Sequence, residues 1–135
     1  MIGIDTNILV NAFDGHDDRK KKISTNILKE VFSGNKKLAI TNQVLAEFAV
    51  VSTTKLRVPL SEEEVISVVL SICGSENWGV FDYGHQDVIS AVNSHNPFWD
   101  ALIASTLKRN GIDTIFTENI GDFRDSGLKV VNPYE

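Results

Sequence analysis

The chain has 135 residues and a mass of 14.9 kDa, so we expect one domain of ordinary size over residues 1–135. Its single cysteine, Cys73, excludes an internal disulfide and a cysteine-built zinc site. With 13 Lys and Arg against 18 Asp and Glu, the net charge is −5, so bulk charge does not attract nucleic acid unless a cation cancels it locally. No apolar run approaches the ~20 residues of a membrane span. The N-terminal residues resemble no signal peptide, so we expect a cytoplasmic protein without a membrane contact.

The first half of the chain alternates short apolar segments with amphipathic ones. We predict a buried strand at 2–4, a helix over 17–32, a second strand at 38–41 and a helix over 42–54. Ser61 and Glu64 form a capping box that predicts the start of the next helix. One side of that helix is expected to carry Val65, Ile66, Val69, Leu70 and Cys73, which places Cys73 in the core.

The second half continues the alternation. We predict strands at 78–81, 114–117 and 128–131, and a helix marked by Val88, Ile89 and Val92. A further helix is expected to begin at Asn96-Pro97, with Asn as the cap, and to end at Asn110-Gly111. This order predicts an α/β fold in which a parallel five-stranded sheet is flanked by helices. Such sheets bind ligands at the carboxyl ends of their strands.

Three acidic residues occupy unusual positions in this pattern. Asp5 directly follows the first strand, where it is either a site residue or a helix cap. Glu47 lies on the apolar stripe of its helix, where an ionised carboxylate is costly unless it is paired, metal-bound or able to reach water. Asp100 heads a second apolar stripe, where the helix dipole alone also favours a negative charge.

The segment after the fourth strand adds Thr117, Glu118, Asn119 and Asp122, which suit either a site or a simple turn. Taken together, the acids predict one cluster whose like charges require a hard cation with oxygen ligands. Mg²⁺ or Mn²⁺ suits such a cluster, whereas zinc prefers nitrogen and sulfur ligands. The three histidines, His16, His85 and His95, have no ligand spacing and are expected in loops or on the surface.

These motifs resemble the PIN-domain ribonucleases, and most closely the VapC-type toxins of toxin–antitoxin pairs. The resemblance covers essentially the whole chain. Its motifs are Ile4-Asp5-Thr6-Asn7, Glu47 after the second strand, Trp99-Asp100-Ala101-Leu102-Ile103-Ala104, and Thr117-Glu118-Asn119 with Asp122-Phe123. It implies a three-layer PIN-like fold in which acidic residues bind Mg²⁺ or Mn²⁺ and single-stranded or loop RNA is hydrolysed.

The resemblance also implies roles for individual residues. The catalytic acids would be Asp5, Glu47, Asp100 and Asp122, with Asp5 and Asp100 as the metal ligands. The supporting polar residues would be Asn7, Thr117 and Asn119. Where the family usually has Asp or Asn, this chain has Asn119, so the fourth position is completed by Asn119 itself, by Asp122 acting through water, or by Glu118.

The resemblance further implies a homodimer and an antitoxin partner that binds the early helices, within residues 17–54. The densest basic run is Arg19, Lys20, Lys21 and Lys22. It is expected either to track RNA phosphates or to form a solvated helix face beside Asp17 and Asp18. Trp99 and Phe98 are expected to pack in the core, with base stacking as the alternative.

Two other functions remain open from the sequence. A phospho-acceptor receiver domain would use Asp82 after the third strand, but it leaves Glu47 and Asp100 unexplained. A non-catalytic RNA- or protein-binding domain with the same fold is also compatible with the residues.

Overall fold

A computed structural model describes all residues, 1–135. A five-stranded sheet is formed by β1 (Ile2–Ile4), β2 (Leu38–Thr41), β3 (Trp78–Phe81), β4 (Thr114–Phe116) and β5 (Lys129–Val131). The helices are α1 (Thr6–Asn11), α2 (Asp18–Phe32), α3 (Asn42–Thr54), α4 (Glu62–Cys73), α5 (His85–Val92) and α6 (Phe98–Arg109), with a 3-10 helix at Ile120–Phe123. None of the helices is long and apolar enough to cross a membrane.

All strands are parallel, in the order β3-β2-β1-β4-β5. The order reverses beside β1, whose neighbours are β2 and β4, so the carboxyl end of β1 is the expected ligand position. α1 contacts α2 and α3, α3 contacts α4, and α5 packs on α6. The predicted α/β sheet with flanking helices is therefore confirmed.

The core lies between the sheet and the helices, and β1 is covered closely by α6. Ile4, Phe48, Leu107 and Ile115 are completely buried in it. Gly3 lets α6 approach, because a Cβ at this position would lie 2.5 Å from Cδ1 of Leu107. The close packing holds the first turn of α6, and with it Asp100, near the end of β1.

The apolar face predicted for α4 is wrong. The structure buries Val65 and Ile72 and packs Val68 and Val69 against the core, whereas Ile66, Leu70 and Cys73 are exposed. Because seven of the twelve positions of this helix are apolar, two overlapping stripes have helical spacing, and the stripe 65, 68, 69, 72 is the one that packs against the core. Cys73 is therefore not a core residue.

The start predicted for α6 is also displaced. The helix begins at Phe98 with Pro97 as its N-cap residue, and no side chain caps it. Asn96 precedes a proline, which disfavours the helical region for it. Its backbone N–H donates to Oγ of Ser94 instead of starting the helix. The capping box of Ser61 and Glu64 is present as predicted.

The strand order also argues against the hypothesis of a phospho-acceptor receiver domain. Asp82 follows β3, which is an edge strand and lies two positions from β1 in the sheet. The proposed phospho-acceptor is thus remote from Asp5. A receiver site would need Asp5 and Asp82 at the ends of adjacent strands, whereas β2 lies between β1 and β3.

Candidate active site

The predicted acids gather at the carboxyl end of β1. A cleft of about 310 Å³ opens there, and its lining includes Asp5, Asn7, Glu47, Asp100 and Asn119. Each of these arrives from a different part of the chain: the end of β1, α1, α3, α6 and the segment after β4. Thr117 is buried beneath the cleft, and Asp122 lies in the 3-10 helix beside it.

Asp5 is held by a network of neutral donors. Its Oδ1 accepts from the backbone N–H of Thr6 at 2.8 Å, so it also caps α1. Its Oδ2 accepts from Oγ1 of Thr117 at 2.7 Å and from Nδ2 of Asn7 at 3.0 Å. Burial nevertheless raises the pKa of Asp5, and the charge of Glu47 adds to the rise against these hydrogen bonds. Asp5 is therefore both a cap and an oriented site carboxylate.

Asn7 and Thr117 extend the network to the segment after β4. The side-chain oxygen of Asn7 accepts from the backbone N–H of Glu118 at 3.3 Å. Oγ1 of Thr117 accepts from the backbone N–H of Asn119 at 3.0 Å. These contacts tie the loop at residues 117–119 to the first turn of α1. Two of the three predicted supporting residues, Asn7 and Thr117, therefore touch Asp5, whereas Asn119 is exposed at the rim.

Glu47 is fixed at both of its carboxylate oxygens. Oε2 accepts from Oγ1 of Thr6 at 2.5 Å, and Oε1 accepts from Nε2 of Gln43 at 2.9 Å. Neither donor carries a charge, so the carboxylate is oriented without being neutralised. Sequence reasoning did not assign a role to Thr6 or Gln43. The position of Gln43, four residues before Glu47 on one helix, was the available signal for its contact.

Asp100 is the electrostatically strained member of the cluster. No hydrogen bond holds its carboxylate. Burial raises the pKa of Asp100 to about 7, together with the charges of Asp5, Asp122 and Glu47. These three charges act on one group, so the four predicted catalytic acids form a single electrostatic unit. Glu118, the other candidate for the fourth acid, contributes nothing to this shift.

The side chains of the cluster offer the oxygen ligands that a hard divalent cation prefers, but they do not form a complete ligand set. No group of three His, Cys, Asp or Glu side chains is arranged to hold a metal ion as it stands. Every polar side chain that lines the cleft carries a carboxylate, a hydroxyl or an amide, and such oxygen ligands suit Mg²⁺ or Mn²⁺. A cation would remove the repulsion that raises the pKa of Asp100. The chemistry of these side chains therefore suits such an ion.

The basic run is divided by the structure. Nζ of Lys20 pairs with Oε2 of Glu118 at 2.6 Å, so Glu118 turns away from the acid cluster. The guanidinium of Arg19 donates to the backbone carbonyl of Tyr134. Lys21 and Lys22 are exposed. Only Lys20 is thus tied to the segment that borders the cleft, and the assignment of the run to RNA stays a prediction.

Comparisons with known proteins identify the fold. VapC20 of Mycobacterium tuberculosis, described as a sarcin–ricin loop cleaving toxin, superposes with a TM-score of 0.70 at 17% identity, covering 95% of this chain and 96% of that chain. FitAB bound to an IR36 DNA fragment gives a TM-score of 0.69 at 20% identity, covering 100% and 96%. VapBC2 from Rickettsia felis, bound to a DNA fragment from its promoter, gives 0.64 at 23% identity, covering 98% of each chain.

No protein-family model matches the sequence, and no curated protein matches it either. The likeness therefore lies in the three-dimensional structure, over essentially the full length of each chain. It agrees with the resemblance drawn from the short acidic motifs. The chain has the fold of the PIN-domain toxins of the VapC and FitB type.

Proposed function

We propose that this protein is a divalent-cation-dependent endoribonuclease that hydrolyses RNA phosphodiester bonds. The observation that supports this most directly is the gathering of Asp5, Glu47, Asp122 and Asp100, in which burial, together with the charges of the other three acids, raises the pKa of Asp100 to about 7. Four carboxylates gathered at the switch point of a PIN fold are unfavourable for stability unless a cation joins them. The cluster thus favours a catalytic site over a merely structural one.

Asp5 and Asp100 are the proposed ligands of Mg²⁺ or Mn²⁺. Asp5 is the more rigid, because it ends a strand and accepts three hydrogen bonds. Asp100 contributes the negative charge that lacks any other partner. When bound, the cation polarises the phosphoryl oxygen and lowers the pKa of a coordinated water.

The other residues keep this constellation in place. Thr117 and Asn7 orient Asp5, and Thr6 and Gln43 orient Glu47. With both oxygens held, the Glu47 carboxylate is suited to orient the attacking water by accepting a hydrogen bond from it. Asp122 adds negative charge beside Asp100 and is the proposed fourth acid. No histidine lines the cleft, so proton transfer falls to carboxylates and water.

We also propose that the protein is the toxin of a toxin–antitoxin pair, in which it forms a homodimer and binds an antitoxin. The support is the fold shared with VapC20, FitAB and VapBC2. The proposed antitoxin surface lies on α2 and α3. Purification of the protein with the product of the neighbouring reading frame, followed by measurement of the complex mass, tests this part.

The nuclease proposal is tested by incubating the protein with a mixed RNA pool, with and without Mn²⁺, and mapping the cut ends. We expect discrete cuts that require the cation and disappear in Asp5→Asn and Asp100→Asn. Asp113→Asn is the matched control, because Asp113 is exposed and directly precedes β4, at the amino ends of the strands and away from the acid cluster. An intact pool after incubation with folded wild-type protein and Mn²⁺ would favour the non-catalytic function.

A further inference from the structure

A groove of about 700 Å³ runs from the acid cluster along α3. Glu47 and Asp100 line both this groove and the acidic cleft, so the two cavities adjoin each other. The remaining lining residues are uncharged: Asn42, Gln43, Ala46, Val50, Val51, Tyr83 and Trp99. A ligand that reaches the acid cluster therefore has a second, largely apolar surface beside it.

Two aromatic side chains in this groove are left in contact with water. Trp99 is 59% exposed and Tyr83 is 40% exposed. The expectation that Trp99 packs in the core is wrong, because the first turn of α6 projects it outward. The ring of Phe98 contacts that of Trp99 edge to face, with centroids 5.1 Å apart. This contact gives the exposed indole a preferred orientation.

The charge of the groove selects the part of a nucleic acid that it accepts. Its only ionisable groups at neutral pH, Glu47 and Asp100, are acidic. These two acids repel a phosphate unless a cation is present, whereas an uncharged aromatic ring meets no such electrostatic repulsion. Exposed aromatic rings bind unpaired bases by stacking.

Gln43 connects this surface to the acid cluster. Its Nε2 donates to Oε1 of Glu47 at 2.9 Å and to the backbone carbonyl of Trp99 at 3.0 Å. Gln43 is buried, and its Oε1 has no hydrogen-bond partner. The side-chain amide of Gln43 thus bonds both the carboxylate of Glu47 and the backbone of Trp99, and it fixes their relative positions.

We propose that this groove is a nucleobase subsite, in which an unpaired base of the RNA stacks on Trp99 beside the phosphodiester that is cut. The inference rests on the proposed nuclease function and adds to it a residue that contacts a base of the substrate. A base inside a duplex cannot leave its partner without cost, so stacking on Trp99 requires an unpaired base. Tyr83 provides further aromatic surface in the same groove.

The kinetic test compares Trp99→Ala and Trp99→Phe on a short single-stranded RNA that contains one mapped cut. We expect kcat/KM to fall roughly tenfold in Trp99→Ala, mostly through KM, because one stacked base is lost. Trp99→Phe keeps an aromatic face and should stay within a few-fold of wild type. Leu70→Ala is the control, because Leu70 is 66% exposed but lies outside the groove. Equal kcat/KM for Trp99→Ala and wild type would overturn the subsite.

A binding test without cation separates the subsite from catalysis. In EDTA, the fluorescence of exposed Trp99 is titrated with a nucleoside, which carries no phosphate for the acids to repel, and with ribose alone, while buried Trp78 provides a constant background. We expect quenching that requires the base and is absent in Trp99→Phe. Equal quenching by both compounds would overturn the proposal. A second outcome would also overturn the proposal, namely that Trp99→Ala loses self-association while its kcat/KM is unchanged. The groove would then bind a second copy of the chain. Quenching without any RNA cleavage would overturn the nuclease function while supporting the subsite.

Discussion

The hydroxyl of Thr6 donates a 2.5 Å hydrogen bond to Oε2 of Glu47, 41 positions further along the chain. The contact joins the first turn of α1 to the middle of α3. It therefore couples the residue that follows Asp5 to the second acid of the cluster. Loss of this bond should disturb the orientation of Glu47 and leave its charge in place.

Thr6→Val removes the donor while keeping the shape of the side chain. We expect RNA cleavage at saturating substrate to fall about tenfold, since a hydrogen bond to a charged group contributes about 1.5–3 kcal/mol. Thr6→Ser restores a hydroxyl and should recover most of the rate. Single-turnover kinetics of the three proteins provide the measurement. A Thr6→Val protein with wild-type kcat would show that Glu47 needs no such orientation.

Glu47→Gln tests the carboxylate itself. Reduced repulsion with Asp5 and Asp100 favours the cation-free variant, but an amide NH₂ at either terminal position would face a donor from Thr6 or Gln43. We therefore expect little net gain in melting temperature without cation, a smaller Mn²⁺-induced increase, and a cleavage rate lower by orders of magnitude. Thermal denaturation with and without Mn²⁺ measures the first two. An unchanged Mn²⁺-induced increase would remove Glu47 from the cation site.

The stability of the cation-free protein should decrease as the pH rises from about 4 to about 7. Asp100 has a pKa of about 7 in the folded protein against an ordinary value of 3.8. Between these values the folded state keeps a proton that the unfolded state has released, so rising pH favours unfolding. The pKa of Asp5 is raised in the same direction. Melting temperatures in EDTA across this range should fall less steeply for Asp100→Asn. Identical slopes for the variant and wild type would contradict the shift.

Mn²⁺ should raise the melting temperature of the wild type, because it binds only the folded acid cluster. The rise should be larger at pH 8 than at pH 5.5, since the ion requires Asp100 to release its proton. Asp5→Asn and Asp100→Asn should lose most of the effect, whereas Asp113→Asn should keep it. An equal response of all four proteins would place the cation elsewhere.

Arg109→Met should destabilise the fold through Asp87, which is fully buried on α5. Burial alone would raise the pKa of Asp87, but hydrogen bonds from Arg109, Gly84 and Ser105 lower it. Without the guanidinium, a buried carboxylate loses its counter-charge. Lys36→Met, which breaks the exposed pair of Lys36 with Glu30, is the control and should have little effect. Urea unfolding compares the two, and equal midpoints would mean that the buried pair contributes no more than a surface pair.

Regular apolar spacing was enough to locate most of the fold. The first three strands and α3 have the predicted bounds, because each is a continuous apolar segment or a helix with one clear stripe. α1 was missed, since six residues directly after a strand are too few to establish a helical period. The face of α4 was wrong because two apolar stripes overlap in it. Periodicity cannot choose between stripes that the sheet alone distinguishes.

The acids of the candidate site could be predicted from the sequence, but their contacts could not. Glu47 and Asp100 could be singled out because acids on apolar stripes are unfavourable, and the structure places both at the end of β1 beside Asp5. The exclusion of Glu118 was not predictable, since it depends on its pairing with Lys20 from a distant helix.

The central position of β1 has a consequence for the newly made chain. Asp5 is synthesised 112 positions before its partner Thr117, and β1 pairs with β4. A ribosome-bound chain that ends before β4 lacks this partner, and one that ends before residue 122 lacks the fourth acid. Because translation proceeds from the N-terminus, the cluster cannot assemble until most of the chain has emerged. For a protein proposed to cut RNA, partial translation products therefore lack the complete acid cluster.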